Sequence, residues 1–258
     1  MFLKRLRQEA GRQNWFGVGL DLVILIVGVF LGIQVNNWNQ ARIDRQKGHD
    51  YRQRLIEDID ANDHSYMHRR IYYSTVRKFA SAALDALDRP AQSDAAAFLV
   101  DAYQASQIIP TKLRRATYDE ILATGNLENL GDAKTRELVM NFYNGVDTVQ
   151  VTFSNVPPYR EHIRSVMPTA AQNAVRTQCP EDISFDEDGN SISVLPVQCR
   201  IKIDQAEAVR DAEIVRSIPT LRDDLNRLIA DLDGKLFLVD AAQKRGTSVR
   251  RKLVAANQ

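Results

Sequence analysis

Few residues in this chain have both the type and the spacing for chemistry. Asp60, His64 and His68 recur every four residues, and on a helix that spacing sets three metal ligands along one face. His64, however, stands two residues from both Asn62 and Tyr66, which belong to a packing stripe, so it points away from the core and the trio reads as a solvated face. Glu57 and Asp58 follow Arg54 by three and four residues, the spacing of ordinary charge pairs on a helix surface. No Gly-rich phosphate loop, nucleophile elbow, zinc-binding cysteine pair or zincin signature occurs, and the 4 histidines are scattered. The sequence is therefore read as a non-enzyme, with no catalytic residue, no metal site and no cofactor. What remains is one acid in an unusual place, Asp21, and the only two cysteines, Cys179 and Cys199.

Asp21 is the single charge in FGVGLDLVILIVGVFLGIQV, residues 16–35. About 20 residues of apolar helix cover the ~30 Å hydrocarbon layer, so a transmembrane helix is predicted over 16–38. Trp15 and Trp38, the only tryptophans, bracket this run; at ~1.5 Å per residue they stand about 35 Å apart, as anchors at the two membrane interfaces. A cleaved signal peptide shares the basic start and the apolar run. This run is long for one, and it ends in QVNNWN with no small-x-small cleavage pattern, which favours a retained anchor. Ahead of it, residues 1–15 form a basic tail in which Lys4, Arg5, Arg7 and Arg12 mix with Phe2, Leu3 and Leu6, a pattern that suits the cytoplasmic leaflet. Arg42, Arg45 and Lys47 nearly balance the positive-inside rule. A long C-terminal domain crosses largely regardless of charge and two cysteines suit an oxidising compartment, so the reading is N-terminus inside and C-terminal domain exported.

At 100° per residue, Gly17, Asp21, Leu25, Gly28, Gly32, Val35 and Asn39 fall within an arc of about 80°. Gly28 and Gly32 form a small-xxx-small pair that lets two helix backbones approach, and Asp21 on the same stripe avoids lipid by facing a partner. The stripe Gly17, Asp21, Leu25, Gly28 and Gly32 is therefore the expected interface with a second copy or another membrane protein. Two other readings stay open: Asp21 sits near the helix N-terminus, where the macrodipole favours an acid, and an acid at this depth can handle protons or ions.

Residues 39–258 are expected to form a soluble helical domain. A formal net charge of +1 excludes the strongly basic face that nucleic acid requires. Leu55, Ile59, Asn62, Tyr66, Arg69, Tyr73, Val76, Ala80, Ala83 and Leu87 recur at spacings of four and three, which predicts one long packed helix, with Gly48 as a place to bend. Further helices are expected over 93–106 with Ser93 as N-cap, 110–125 opened by Pro110 and closed by Gly125, and 133–143 capped by Asp132 and stopped at Asn144-Gly145. Residues 149–153 could extend that last helix, and 159–166 forms another that Pro168 ends. The final pattern, 205–244, includes Val209, Ile214, Leu221, Leu225, Leu228, Leu232 and Leu236 and is interrupted at Pro219; residues 245–258 read as a frayed basic end.

One segment breaks the helical rhythm. Between Cys179 and Cys199, ISFDEDGNSISV alternates on either side of Asp188-Gly189, a two-residue hairpin signal. Counting outward pairs Phe185 with Ile192 and Ile183 with Val194, and it brings Cys179 within one residue of facing Cys199. A hairpin at about 179–199 closed by a Cys179–Cys199 disulfide is the expectation.

Two stretches, GLDLVILIVGVFLGIQVNNWNQ and TYDEILATGNLENLGDAKTRELVMNFYN, together resemble a family of bacterial single-pass membrane proteins known as a domain of unknown function. Its members share a short basic N-terminus, an acid-bearing membrane helix ending in an NNWN-like run, and a helical domain; many carry Glu where this chain has Asp21. The resemblance implies a bacterial inner-membrane protein with a periplasmic domain and assigns no reaction. The expected fold is thus mainly α: one N-terminal transmembrane helix plus an extracytoplasmic, bundle-like helical domain with a small β-hairpin insertion. The expected function is a structural or interaction protein, an oligomeric or accessory subunit of a cell-envelope complex with the lipid bilayer and a membrane protein as partners. The alternative is an ion-coupled subunit using Asp21, since the layout looks like the small stator subunits of proton-driven envelope motors, whose periplasmic folds hold more β-structure than this domain promises.

Overall fold

The computed structural model describes residues 15–109, 112–186, 189 and 191–257, with side chains from residue 19 onward. The basic tail and Pro110 lie outside these. The chain divides into two units, Met1–Tyr51 and Arg52–Gln258. Helix α1, Trp15–Asp88, contributes to both, and its 74 residues include Gly48 without a break in the helix.

In the first unit every described residue is helical. The large apolar side chains from Leu20 to Val35 are all 48–64% exposed, on every side of the helix. No described side chain buries them. This is the one described helix long and apolar enough to cross a membrane, a character that an N-terminal signal sequence shares. Beyond it the sequence turns polar and the exposed surface carries side-chain hydrogen bonds four residues apart, Gln40 Nε2 to Asp44 Oδ1 at 3.0 Å and Gln46 Nε2 to Asp50 Oδ1 at 2.9 Å.

In the second unit the stripe on α1 is the floor of the core. Leu55, Ile59, Asn62, Tyr66, Arg69, Tyr73, Val76, Ala80 and Ala83 are all buried, as their spacing predicts, and only Leu87 stays half-exposed. Six helices follow before the last: α2 (Ala95–Gln104), α3 (Ala116–Ala123), α4 (Ala133–Ser154), α5 (Pro158–Val166), α6 (Thr169–Gln178) and α7 (Gln205–Arg216). Between α6 and α7 lies a two-stranded antiparallel sheet, β1 (Asp182–Phe185) and β2 (Ser191–Val194), and α8 (Leu221–Ala255) closes the chain. Helix α4 packs on α8, and α2 packs on α7 and α6. Aspartates start three of these helices by accepting otherwise orphaned N–H groups: Asp94 from Ala96, Asp132 from Thr135 and Asp204 from Glu207.

Helix α8 runs antiparallel to the second-unit part of α1, and charge pairs mark the register. Asp60 accepts from Arg250 at 2.6 Å, Arg70 donates to Asp240 at 3.1 Å, and Arg77–Asp233 and Asp88–Arg222 continue the series. Each pair is half-exposed and worth roughly 0–1 kcal/mol, so the series sets register more than stability.

Several sequence-based expectations are corrected. Asp94, not Ser93, caps α2, because Ser93 Oγ donates instead to Pro90 O. Helix α3 starts at Ala116, with Asp58 of α1 accepting the Thr117 N–H at 3.3 Å, and Arg54 pairs with Glu120 of α3. Helix α4 runs straight through Gly145, where a Cβ would meet Arg245 Nη1 at 2.5 Å: this glycine leaves room for a neighbour's side chain and ends nothing. Helix α6 was not anticipated. On α7 the buried face is Ala208, Asp211, Ala212 and Val215, leaving Val209 and Ile214 exposed, and on α8 Lys235 is buried where Leu236 was expected. The C-terminal end is ordered helix to Ala255, with Val249 and Leu253 buried.

That last correction is measurable. Leu253 is fully buried and Phe237 is 76% exposed, although both are large apolar residues of α8. Leu253→Ala is expected to cost about 2–5 kcal/mol of unfolding free energy and Phe237→Ala to stay within about 0.5 kcal/mol. Urea titration of each variant checks the contrast, and equal small effects would return residues 245–258 to a frayed end.

Candidate functional sites on the apolar helix and beneath the hairpin

The unbroken helix carries Gly17, Asp21, Leu25, Gly28 and Gly32 along one stripe, as helical periodicity requires. Trp15 and Gly17 belong to the helical backbone, and their side-chain surroundings lie outside what the structure describes. Asp21 is exposed, Leu25 is 64% exposed, and a Cβ added at Gly28 or Gly32 meets nothing within 4 Å. The stripe is open in a single chain, and so is Trp38.

Cys179 and Cys199 lie at disulfide distance, with Cα atoms 5.8 Å apart across 20 positions of sequence. The hairpin between them has a different register from the one counted outward from the turn. Ile183 faces Ser193 and Phe185 faces Ser191, while Ile192 faces Ser184 and Val194 faces Asp182. The slip of one residue arises in the connection: Gly189, at φ +78°, donates its N–H to Asp186 O, closing a four-residue turn. Asp188, half of the anticipated two-residue turn, lies outside the described residues. Because strand side chains alternate, the slip divides the apolar residues between the two faces of the ribbon instead of gathering them on one. Phe185 and Ile183 are exposed on one face, and Ile192 on the other is half-buried.

Beneath this ribbon lies a cleft of about 430 Å³, walled by Ile108, Ile109, Ile183 and Ile192, with Lys112, His64 and His68 also lining it. Asn62 fixes one side. Its Nδ2 donates to Arg114 O at 2.8 Å and its Oδ1 accepts from Arg114 N at 2.7 Å, so a buried amide holds the loop before α3. Arg69, about two turns further along the stripe, also lines the cleft and is 1% exposed. None of its three guanidinium nitrogens has a hydrogen-bond partner among the described residues. Its carbon rests over the Phe153 ring at 5.3 Å, and Lys235 Nζ lies 5.4 Å from the same ring. Burial pushes Arg69 down to about 10 and lowers Lys235 as well. The sequence held a signal for Arg69 that went unused: an arginine at a packing-stripe position.

The other chemistry-bearing residues do structural work here. Asp60 is engaged by Arg250, and among the described residues no group of three His, Cys, Asp or Glu side chains converges as metal ligands. His162 and Asp224 form a pair at 2.7 Å that could be half of a catalytic triad. Thr220 Oγ1 donates to the same Asp224 oxygen at 2.7 Å, so the pair ties α5 to the first turn of α8. Burial pushes the Asp224 carboxyl up, and the hydrogen bonds from His162 and Thr220 outweigh it and hold the carboxyl below the ordinary range.

Comparison of the chain with family models, curated proteins and solved structures returns no match.

Two predictions follow from these geometries. Cys199→Ser opens a loop of about 20 residues and should cost roughly 3 kcal/mol in the chain-entropy model. Intact mass after alkylation without reductant reports the bridge directly; two alkylated thiols in the wild-type chain would remove it. Separately, burial pushes the Asp101 carboxyl up to about 7. The folded chain therefore keeps a proton that the unfolded chain loses near pH 4, and stability falls as pH rises from about 4 to about 7, then levels off. Asp101→Asn should raise stability by roughly 1–3 kcal/mol at pH 8 and by clearly less at pH 4.5. A constant difference across that range, read from denaturant midpoints, would contradict the burial effect.

Proposed function

We propose that this chain is a membrane-anchored structural or interaction protein of a bacterial cell envelope. In this reading the apolar helix spans the inner membrane with its N-terminus in the cytoplasm, and Arg52–Gln258 is periplasmic. The observation that carries it is the exposure of every large apolar side chain from Leu20 to Val35, while Arg52–Gln258 buries its own apolar stripe. In water a bare surface of that size would drive association; in lipid it costs nothing. The Cys179–Cys199 pair supports an oxidising compartment for the second unit. The helix then assembles with a second copy or an accessory membrane protein through Gly17, Asp21, Leu25, Gly28 and Gly32, because open space over Gly28 and Gly32 admits a partner backbone and Asp21 on that stripe leaves lipid by meeting it.

Crosslinking in native membranes, followed by mass spectrometry, tests assembly. Gly28→Leu and Gly32→Leu should each reduce the crosslinked species severalfold while the chain stays membrane-bound after alkaline extraction. Unchanged crosslinking rejects the stripe as an interface, and release by alkali, or an intact mass lacking the apolar run, rejects the anchor itself. Asp21→Asn should insert and assemble nearly as well, since a neutral amide still hydrogen-bonds across a helix pair. If it assembles fully but abolishes a proton-dependent activity of the envelope, the ion-coupled reading replaces this one.

A further inference from the structure

The cleft beneath the hairpin is lined by a cation that has no hydrogen-bond or ion-pair partner among the described residues. Arg69 is 1% exposed, its Nε, Nη1 and Nη2 are unpaired, and it makes no ion pair among the described residues. A guanidinium is never deprotonated at ordinary pH, so it cannot relieve its burial by losing charge. The Phe153 ring at 5.3 Å offers its face but no hydrogen-bond acceptor, and it already shares that duty with Lys235. Asn62, two turns away on the same stripe, shows the contrast, with both ends of its amide satisfied by backbone. Buried charges in proteins are normally paired, and Arg69 borders a cleft of about 430 Å³, so a turn of its guanidinium toward that space would let a counterion come from outside.

We propose that this cleft binds the carboxylate of a small monoanionic amphiphile, with Arg69 as its bidentate partner and Ile108, Ile109 and Ile192 around its aliphatic body. The planar fork of a guanidinium matches the two oxygens of a carboxylate. Ile108, Ile109 and Ile192 border the space, which suits a hydrocarbon tail, and polar groups such as Ser65 and Ser191 line the rest of it. Lys112 and Arg114 also line the cleft and add two further cations, partly offset by Glu181 and Asp186 on the hairpin side, so the space favours an anion of low charge. A single carboxylate on an apolar chain satisfies all of these at once. The site lies within Arg52–Gln258 and does not depend on the reading of the apolar helix.

The test is calorimetric titration of the full chain in nanodiscs with sodium hexanoate, with hexan-1-ol and inorganic phosphate as separate arms. Hexanoate is expected to bind saturably at one site per chain, with hexanol and phosphate at least tenfold weaker. Arg69→Met, which keeps the side-chain length and removes the charge, should weaken hexanoate at least tenfold while its thermal midpoint equals or exceeds that of the wild type, because it deletes an unpaired buried charge. Should that variant fail to fold, Ile108→Glu at the half-buried cleft wall places a carboxylate at the same cleft as Arg69 and should block hexanoate with the fold retained. Equal binding of hexanol would show an apolar groove without carboxylate recognition and overturn the proposal. So would preferential binding of phosphate, or hexanoate affinity unchanged in both variants.

Discussion

The second unit depends on one stripe of α1. From Leu55 to Ala83 nine positions at alternating spacings of four and three are buried, and the helices that follow find their places against them. Two of those nine are polar, and their fates differ. Asn62 trades its amide for a pair of hydrogen bonds to the backbone of Arg114, net favourable by about 1 kcal/mol and directional enough to fix the loop 112–115. Arg69 is buried with an aromatic face against it and no hydrogen-bond partner among the described residues, an arrangement that costs rather than contributes stability. A folded chain tolerates such a cost at a place where it needs the group for something else.

The closing helix α8 is held by the same stripe through a different kind of contact. Its buried residues Leu225, Leu228, Leu232, Val239, Val249 and Leu253 supply the area, and each full burial is worth about 1.5–3 kcal/mol. The charge pairs from Asp60–Arg250 to Asp88–Arg222 lie on the rim and are individually worth little. They discriminate among registers, because a shift of α8 by one turn would break all of them while burying much the same apolar area. Burial makes the association strong and the charges make it unique.

Much of this was legible in the sequence, and the misreadings have identifiable causes. The long stripe, the apolar run, the Asp132 cap, the left-handed Gly125 after α3 and the cysteine pair all rest on local rules that tertiary context did not override. Gly145 misled because glycine's helix penalty, about 1 kcal/mol, was read as a stop, when Arg245 needed the space. The basic end 245–258 looked unstructured by composition, yet Val249 and Leu253 keep the apolar phase of α8, and Arg250 and Lys252 find Asp60 and Asp132 in other helices. The hairpin slipped by one residue because turn length sets register, and a five-residue connection between Phe185 and Ser191 replaces the two-residue one. Arg69 was visible as a position but not as a problem: whether a buried cation has a partner is a property of the fold.

The hairpin shows why its anchoring matters for the cleft it covers. A two-stranded ribbon is marginal alone, and this one cannot gather its apolar residues on a single face after the register slip. Its position is imposed from its base. Cys179 is buried and bridged to Cys199, its carbonyl accepts from Gln104 Nε2 of α2 at 3.0 Å, and Gln178 exchanges hydrogen bonds with the backbone of Lys202 on the return strand side. Both chain ends leaving the ribbon are therefore tied to α2 and α6, and Ile192 is carried over the cleft by that clamp rather than by its own packing. The walls of the cleft thus have two unequal origins. One, Ile108 and Ile109 with the loop pinned by Asn62, belongs to the core and inherits its stability. The other hangs from a covalent bridge, so the shape of the space above Arg69 is set jointly by the hydrophobic stripe of α1 and by the oxidation state of two cysteines.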